Sequence, residues 1–217
     1  VYEAGVESGV SDDPQFLLTS WGFVWSDFDL DLDEDLYVVN GLIPAAPFLT
    51  NDPRSKNDFY LNQGDGTFEQ ITPAKSGAAD DAVGRGLAPA DVDRDGHVDL
   101  FVMNNGGANV ALPGDVARLF MADAAALDPS GSRSAVQLRL QATHSHWQAF
   151  GARLAAEVGD VTLKRQLLAD PVYVSSASRE VHFGIGEASQ VDRIVIDWPS
   201  GTRQRLVGVP AGLQTTI

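Results

Sequence analysis

Short apolar runs broken by glycine, proline, asparagine and aspartate recur along the whole chain, the pattern of strands joined by turns. Phe23-Val24-Trp25 leads into an acidic stretch, and Leu36-Tyr37-Val38-Val39 leads out of it. Asp58-Phe59-Tyr60-Leu61 and Thr67-Phe68 flank Asn62-Gln63-Gly64-Asp65-Gly66, which predicts a hairpin around an Asp-Gly turn. Gly86-Leu87-Ala88, Leu100-Phe101-Val102-Met103 and Arg118-Leu119-Phe120-Met121 then repeat the theme. Residues 41–57, rich in Pro, Asn and Asp, read as an extended surface loop. Residues 115–127 have the alanine content of a helix, but the register of the repeat favours a strand over 118–121.

Asp128-Pro129-Ser130-Gly131-Ser132 marks a boundary, dividing the chain into 1–128 and 133–217. Beyond it, 135–141 and 153–158 alternate, and Val158-Gly159-Asp160-Val161 reads as a hairpin turn. Residues 191–198 form a strand pattern, Pro199-Ser200-Gly201 turns the chain, and 204–207 and 213–217 supply two more strands. Such spacing predicts a small β-sandwich. The fold class expected from this spacing is all-β, a run of repeated strands over 1–128 followed by a small C-terminal β-sandwich-like domain.

The acidic stretches carry the chemistry. Residues 91–99 read DVDRDGHVD, with Asp91, Asp93, Asp95 and Asp99 at loop positions one, three, five and nine and Gly96 at six. Residues 27–35 read DFDLDLDED and place Asp27, Asp29, Asp31 and Asp35 likewise, 64 residues earlier. Gly22 and Gly86, Leu36-Tyr37-Val38 and Leu100-Phe101-Val102, and Asn40 and Asn104 extend the match. Calcium takes six to eight oxygens, and carboxylates on alternate residues of a tight loop converge on one point. His97, at position seven, is a candidate ligand through its main-chain carbonyl, with its side chain solvated. Asp33 and Glu34 add charge to the first loop; Asp33 is a further candidate ligand, and the pair otherwise reads as a solvated face. Leu32 stands where the second loop has glycine. That position often takes positive φ, at a cost of about 1 kcal/mol or more for leucine.

Composition narrows the function. The net charge of −15 argues against nucleic acid, whose phosphates require a basic surface, and against docking to anionic lipid. Ten of the 30 acidic residues lie in the two loops, where bound cations would offset their repulsion. The absence of cysteine excludes disulfides, thiolate metal sites and thiol nucleophiles. No run of 18 apolar residues is present, so no transmembrane segment is expected. The chain starts at Val1 without Met, reads as a processed or fragmentary product, and shows no signal peptide. His144 and His146 lack a third ligand nearby and read as an exposed loop, and His182 as structural. Gly184-Ile185-Gly186 lacks the third glycine of a dinucleotide fingerprint. No nucleophile elbow occurs. Trp21, Trp25, Trp147 and Trp198 could form a carbohydrate platform but read mostly as packing.

At this point the chain resembles a known architecture. DVDRDGHVDLFVMN and DFDLDLDEDLYVVN are similar to the loop and strand of FG-GAP (VCBS-type) repeats, the blades of integrin-α-like propellers. FYLNQGDGTFEQIT and YEAGV resemble further blade elements. Gly151-Ala152-Arg153, His182-Phe183-Gly184-Ile185-Gly186 and VDRIVIDWPSG at 191–201 resemble the ASPIC/UnbV domain of cartilage-acidic-protein-like proteins. The resemblance implies an all-β fold, about two blades of a partial β-propeller with calcium loops plus a small C-terminal β-sandwich-like domain, in a secreted, periplasmic or cell-surface calcium-binding scaffold without catalytic residues, acting in adhesion or protein interaction. Two rivals are an accessory subunit of a periplasmic or membrane-associated complex and a glycan-binding or glycan-active propeller. Two blades alone leave open faces, so the partner expected is a protein or further propeller blades. Calcium is expected at one or two sites, and the tail is expected to fold without metal.

Overall fold

A computed structural model describes residues 5–10, 19–42, 54–78, 81–105, 116–169, 173 and 175–217. The chain is nearly all β, with helical content confined among the described residues to four-residue turns at Gly5–Ser8, Pro73–Ser76 and Ala124–Leu127. The first half contains β1 (Ser20–Ser26), β2 (Asp35–Asn40), β3 (Ser55–Lys56), β4 (Asp58–Asn62) and β5 (Phe68–Ile71). It continues with β6 (Asp81–Ala82), β7 (Gly84–Ala90), β8 (Asp99–Asn104) and β9 (Arg118–Phe120). Strands β1-β2-β4-β5 form one antiparallel blade and β7-β8-β9 a second, while β3 and β6 pair separately.

The blades are copies in register as well as in sequence. Each opening strand pair has its irregularity at the same place, between Ser20 and Gly22 in blade one and between Gly84 and Gly86 in blade two. The loop strand of each ends in a fixing asparagine. Asn40 donates to Lys56 O and to the Asp58 carboxylate, and Asn104 donates to Val116 O. Alternation along β2 and β8 sends one row of side chains into the space between blades. There Phe28, Tyr37, Val39 and Phe59 pack with Leu87, Val98, Leu100 and Val102.

The hairpin around Asp65-Gly66 forms as expected, with Asn62 opposite Phe68. Residues 118–121 contain the strand favoured by the repeat register, and the alanine-rich stretch follows as a separate helical turn capped by Asp123. The surface loop expected at 41–57 needs correction at its end. Ser55 and Lys56 pair with Asp81 and Ala82, while 43–53 lie outside the described residues. Of the YEAGV segment, residues 2–4 also lie outside them.

The tail comprises β10 (Ala135–Arg139), β11 (Arg153–Val158), β12 (Val161–Gln166), β13 (Glu180–Gly184), β14 (Gln190–Asp197), β15 (Arg203–Pro210) and β16 (Gln214–Thr216). Sheets β13-β10-β16 and β12-β11-β14-β15 enclose a second core built on Val136, Leu138, Leu154, Phe183, Ile194 and Ile196. Strand β10 does not show the half-solvated burial that its alternation suggests. Ala135, Val136, Gln137 and Leu138 are all buried, because the sheet carries its own core on one face and the first half of the chain on the other.

The close approach of the blades sets a test. A Cβ on Gly84 would fall inside the contact shell of a Val39 methyl and lie 2.7 Å from Asn40 O. Gly84→Ala should therefore cost about 1–3 kcal/mol by overpacking. Gly131→Ala, in open space at φ +63, should cost only its local strain. Urea unfolding of the two variants side by side checks the ranking.

Candidate metal centre

Both acidic loops fold into the same shape. Positions four and six have positive φ in each: Leu30 (+62) and Leu32 (+86) in the first, Arg94 (+65) and Gly96 (+100) in the second. Leucine at position six thus adopts the strained conformation its place in the repeat implies. Its neighbours explain how it is held there. The Asp27 carboxylate accepts the Leu32 amide at 2.9 Å, and the Leu32 side chain packs on the tail core.

The first carboxylate closes each loop. Asp27 accepts the amides of Asp31 and Leu32, both at 2.9 Å, and Asp91 accepts the Gly96 amide at 3.0 Å. The ninth residue ties the loop to its blade. Asp35 accepts from Phe28 and Asn62, both at 2.9 Å; Asp99 accepts from Val92 at 2.7 Å and from Ala122 at 2.8 Å. These bonds orient the carboxylates before any ligand arrives.

Carboxylate oxygens of Asp27, Asp29 and Asp35 lie within 4.8 Å of one another, as do those of Asp91, Asp93 and Asp99. Two oxygens each about 2.4 Å from one calcium ion can be at most about 4.8 Å apart, so the separations suit a hard cation. Each group also holds a buried carboxylate oxygen with no hydrogen-bond partner, Asp29 Oδ1 and Asp91 Oδ1. An oxygen-rich pocket with an orphaned anionic oxygen is the chemistry of a calcium or magnesium site. Asp31, Asp33 and Asp95 stand outside the two groups, accepting or lying near loop amides. Asp31 takes the Asp33 amide at 3.0 Å, and Asp95 takes the His97 amide at 2.8 Å.

The histidines need a correction. The His97 side chain is not solvated: it is 5% exposed, and Nδ1 donates to Phe28 O at 3.1 Å, tying the second loop to the first. His182, expected to be structural, also bridges segments, with Nε2 2.8 Å from Gly96 O. A carbonyl only accepts, so Nε2 carries the proton, and burial pushes this imidazole down to about 4 and keeps it neutral. His144 and His146 are exposed, as expected.

Sequence reasoning missed the groups with which the tail covers the loops. Arg133 donates to Asp29 O at 2.7 Å and pairs with its carboxylate at 3.0 Å. Gln137 and Gln214 both donate to Asp91 Oδ2, the latter at 3.3 Å. Gly186 donates to Leu30 O at 3.0 Å, and Arg165 pairs with Glu34 at 3.3 Å. Gly184 must lack a side chain, because a Cβ there would collide with the Asp27 carboxylate. The HFGIG segment is thus a cradle for the first loop. Gln137 gave no signal, since a polar residue alternating with Val136 and Leu138 reads as solvent-facing.

Residues 27–102 match the model for the FG-GAP-like repeat, and residues 142–217 match the model for ASPIC and UnbV. The chain is an FG-GAP-like repeat followed by an ASPIC/UnbV domain. No curated protein matches it at a significant level. The FG-GAP match encloses both aspartate loops, and the ASPIC/UnbV match encloses the HFGIG cradle and Gln214. The contacts from Arg165, His182, Gly184, Gly186 and Gln214 therefore join the two matched parts across the loops, while Arg133 and Gln137 reach the loops from the stretch between the matches.

Burial raises the Asp27 carboxyl to about 7 and the Asp35 carboxyl to about 8, and it raises Asp29, Asp33 and Asp99 as well. Folded metal-free protein thus holds protons that the unfolded chain loses above about pH 4. Its stability should fall as pH rises from about 4 to about 8, because there the native state binds more protons than the unfolded one. Calcium, if it fills the loops, would displace those protons, so saturating calcium should remove or invert the slope. Melting temperatures at pH 5.5 and 8, with metal stripped and with calcium added, check both signs.

Leu32→Gly separates two roles of one side chain. Relief of positive φ is worth about 1–2 kcal/mol to the loop, while the lost burial against the ASPIC/UnbV core costs about 1 kcal/mol. Calcium affinity at the first loop should rise as the contact between the two parts weakens. Calorimetry reads the first effect, and proteolysis at residues 128–133 reads the second.

Proposed function

We propose that this chain is a non-catalytic, calcium-binding scaffold that works outside the cytoplasm and presents surfaces to protein partners. The observation that carries the reading is the pair of like-shaped aspartate loops, each with three converging carboxylates and an orphaned buried oxygen. Asp27, Asp29 and Asp35 would hold one ion and Asp91, Asp93 and Asp99 the other, with main-chain carbonyls at position seven, those of Asp33 and His97, as candidate additional ligands. A bound divalent cation supplies charge neutralisation and rigid geometry here. The protein's own residues close the loops, fix their strands and seat the ASPIC/UnbV domain on them.

Millimolar free calcium outside the cell suits sites of modest affinity. FG-GAP repeats are typical of extracellular and periplasmic proteins, and no helix among the described residues is long and apolar enough to cross a membrane. Among the described residues the two aspartate sets each converge, and their hydrogen bonds run to backbone amides, to Arg133 and to the side-chain amides of Gln137 and Gln214. Tryptophans do not gather into a sugar platform. Trp21 lies under the Arg85 guanidinium, Trp147 under Arg179, and Trp198 packs on the ASPIC/UnbV core. Trp25, though half exposed, packs its ring against Phe68 with centroids 5.8 Å apart.

Isothermal titration of metal-stripped protein with calcium should show two sites. Asp35→Asn and Asp99→Asn should each remove one and leave the other. A parent protein that takes up no calcium at millimolar concentration would end this reading, as would variants that lose nothing.

A further inference from the structure

Of the contacts that the tail makes with the metal loops, one brings a positive charge into a set of converging carboxylates. The first set is Asp27, Asp29 and Asp35, and the Arg133 guanidinium stands against it, 3.0 Å from Asp29 Oδ2 and donating to Asp29 O at 2.7 Å. The other tail cation at this loop, Arg165, meets Glu34, which stands outside the set. The second set is Asp91, Asp93 and Asp99. Its tail partners, Gln137 and Gln214, are neutral carboxamides, both on Asp91 Oδ2. Two loops of like shape thus differ in what the tail brings to them.

Arg133 is fixed in place by its neighbours. The Asp128 carboxylate accepts its amide at 2.8 Å. Ser132 Oγ donates to Glu187 at 2.9 Å, the Ser134 amide donates to Gly186 O at 3.0 Å, and Ser134 O accepts from the Ile185 amide at 2.9 Å. With residues 132–134 held in this way and its side chain 31% exposed, Arg133 presents a standing charge to the loop. The first loop has more repulsion to offset than the second, with six acidic residues against four, and the second carries Arg94 besides. Arg133 takes one oxygen of the Asp29 carboxylate and leaves the other, Oδ1, buried without a hydrogen-bond partner. An ion about 2.4 Å from Oδ1 would lie within about 8 Å of the guanidinium, a range at which salt screens a partly buried pair weakly.

We infer that Arg133 is a resident counter-ion of the first metal loop: it stabilises the metal-free carboxylates and lowers the affinity of the loop for a divalent cation, which must bind against it. Orienting Asp29 for the ion is the competing role for the same side chain. Orientation needs only a hydrogen-bond donor, and Gln137 and Gln214 supply that to Asp91 in the second loop without a charge. The neutral contacts of the tail order the loops with or without metal, whereas this one does so chiefly without it. The inference rests on the calcium reading of the loops and adds to it a residue that sets the affinity of one of them.

The test is calorimetric titration with calcium of Asp99→Asn, in which only the first loop is read, and of the same protein carrying Arg133→Gln, Arg133→Met or Arg133→Lys. The glutamine and methionine variants should each bind about tenfold more tightly than Asp99→Asn alone, the size expected when one unit charge at this range is removed. The lysine variant keeps the charge and should stay within about threefold of the arginine protein. Metal-stripped, the two neutral variants should melt below Asp99→Asn, and saturating calcium should raise their melting temperatures by more, because a tighter ligand stabilises more. An arginine that only positions Asp29 gives the opposite order, with methionine binding most weakly, and that order overturns the inference. Equal affinity in all four proteins overturns it as well. Should the Asp99→Asn background fail to fold, the Arg133 substitutions in the native background give the same comparison, with Asp35→Asn marking the first-loop part of the isotherm. Calcium uptake without tightening overturns this inference alone, whereas no uptake at the first loop by any of the four overturns it together with the calcium reading of that loop.

Discussion

Carboxylates that must converge with too few counter-charges, Arg133 beside Asp29 being the cation paired with the first set, are the constraint on which the structure rests. Three aspartates come together in each loop, held by amides of their own loop and by one amide from a neighbouring strand. Burial drives the first-loop carboxyls toward protonation, so the metal-free site is at odds with the charge it is built to carry. A divalent cation bound there would resolve that conflict. Because Asp35 and Asp99 also tie each loop to the outer strands of its blade, the resolution reaches beyond the site into the sheets.

The two loops also form much of the platform for the ASPIC/UnbV domain. Gly184 sits against Asp27, Gly186 binds Leu30, His182 binds Gly96 and Gln214 reaches Asp91, while Arg133 and Gln137, just before the domain, reach Asp29 and Asp91. The domain has a core of its own, yet its docking surface is made largely of metal-loop backbone and carboxylate. Loop order and domain docking therefore share contacts, and a ligand that binds the ordered loop favours docking by the same coupling free energy with which docking favours the ligand. His182 fits this arrangement because it is neutral: a buried imidazolium beside Gly96 would repel any cation taken up by the adjacent loop.

Local spacing made the loops, the hairpin at Asp65-Gly66 and the blade strands legible in the sequence. Alternate aspartates, a glycine at position six and period-two apolar runs are each signals carried within ten residues. Even the strain at Leu32 could be read from its register against Gly96, and its φ of +86 agrees. What could not be read is long-range. Gln137 looks solvent-facing because alternation shows which way a residue points from its own sheet, and here a second part of the chain lies on that side. His97 looks like a loop side chain because nothing local shows that Phe28 O lies 3.1 Å away across 69 residues. Ser55 and Lys56, lost in a polar stretch, become a strand only because Asp81 and Ala82 come alongside.

Hydrogen exchange measured by mass spectrometry, with calcium and after chelation, addresses the central claim most directly, since it reads loop order and domain docking together. With calcium, amides in 27–35, in 91–99 and in the 182–186 cradle should all be protected. Chelation should release all three segments together while the strands of the ASPIC/UnbV core, such as β11 and β14, stay protected. Equal exchange in both conditions would show that the loops are ordinary acidic turns. Release of the loops without the cradle would show that metal and docking are independent. Either result would contradict the account.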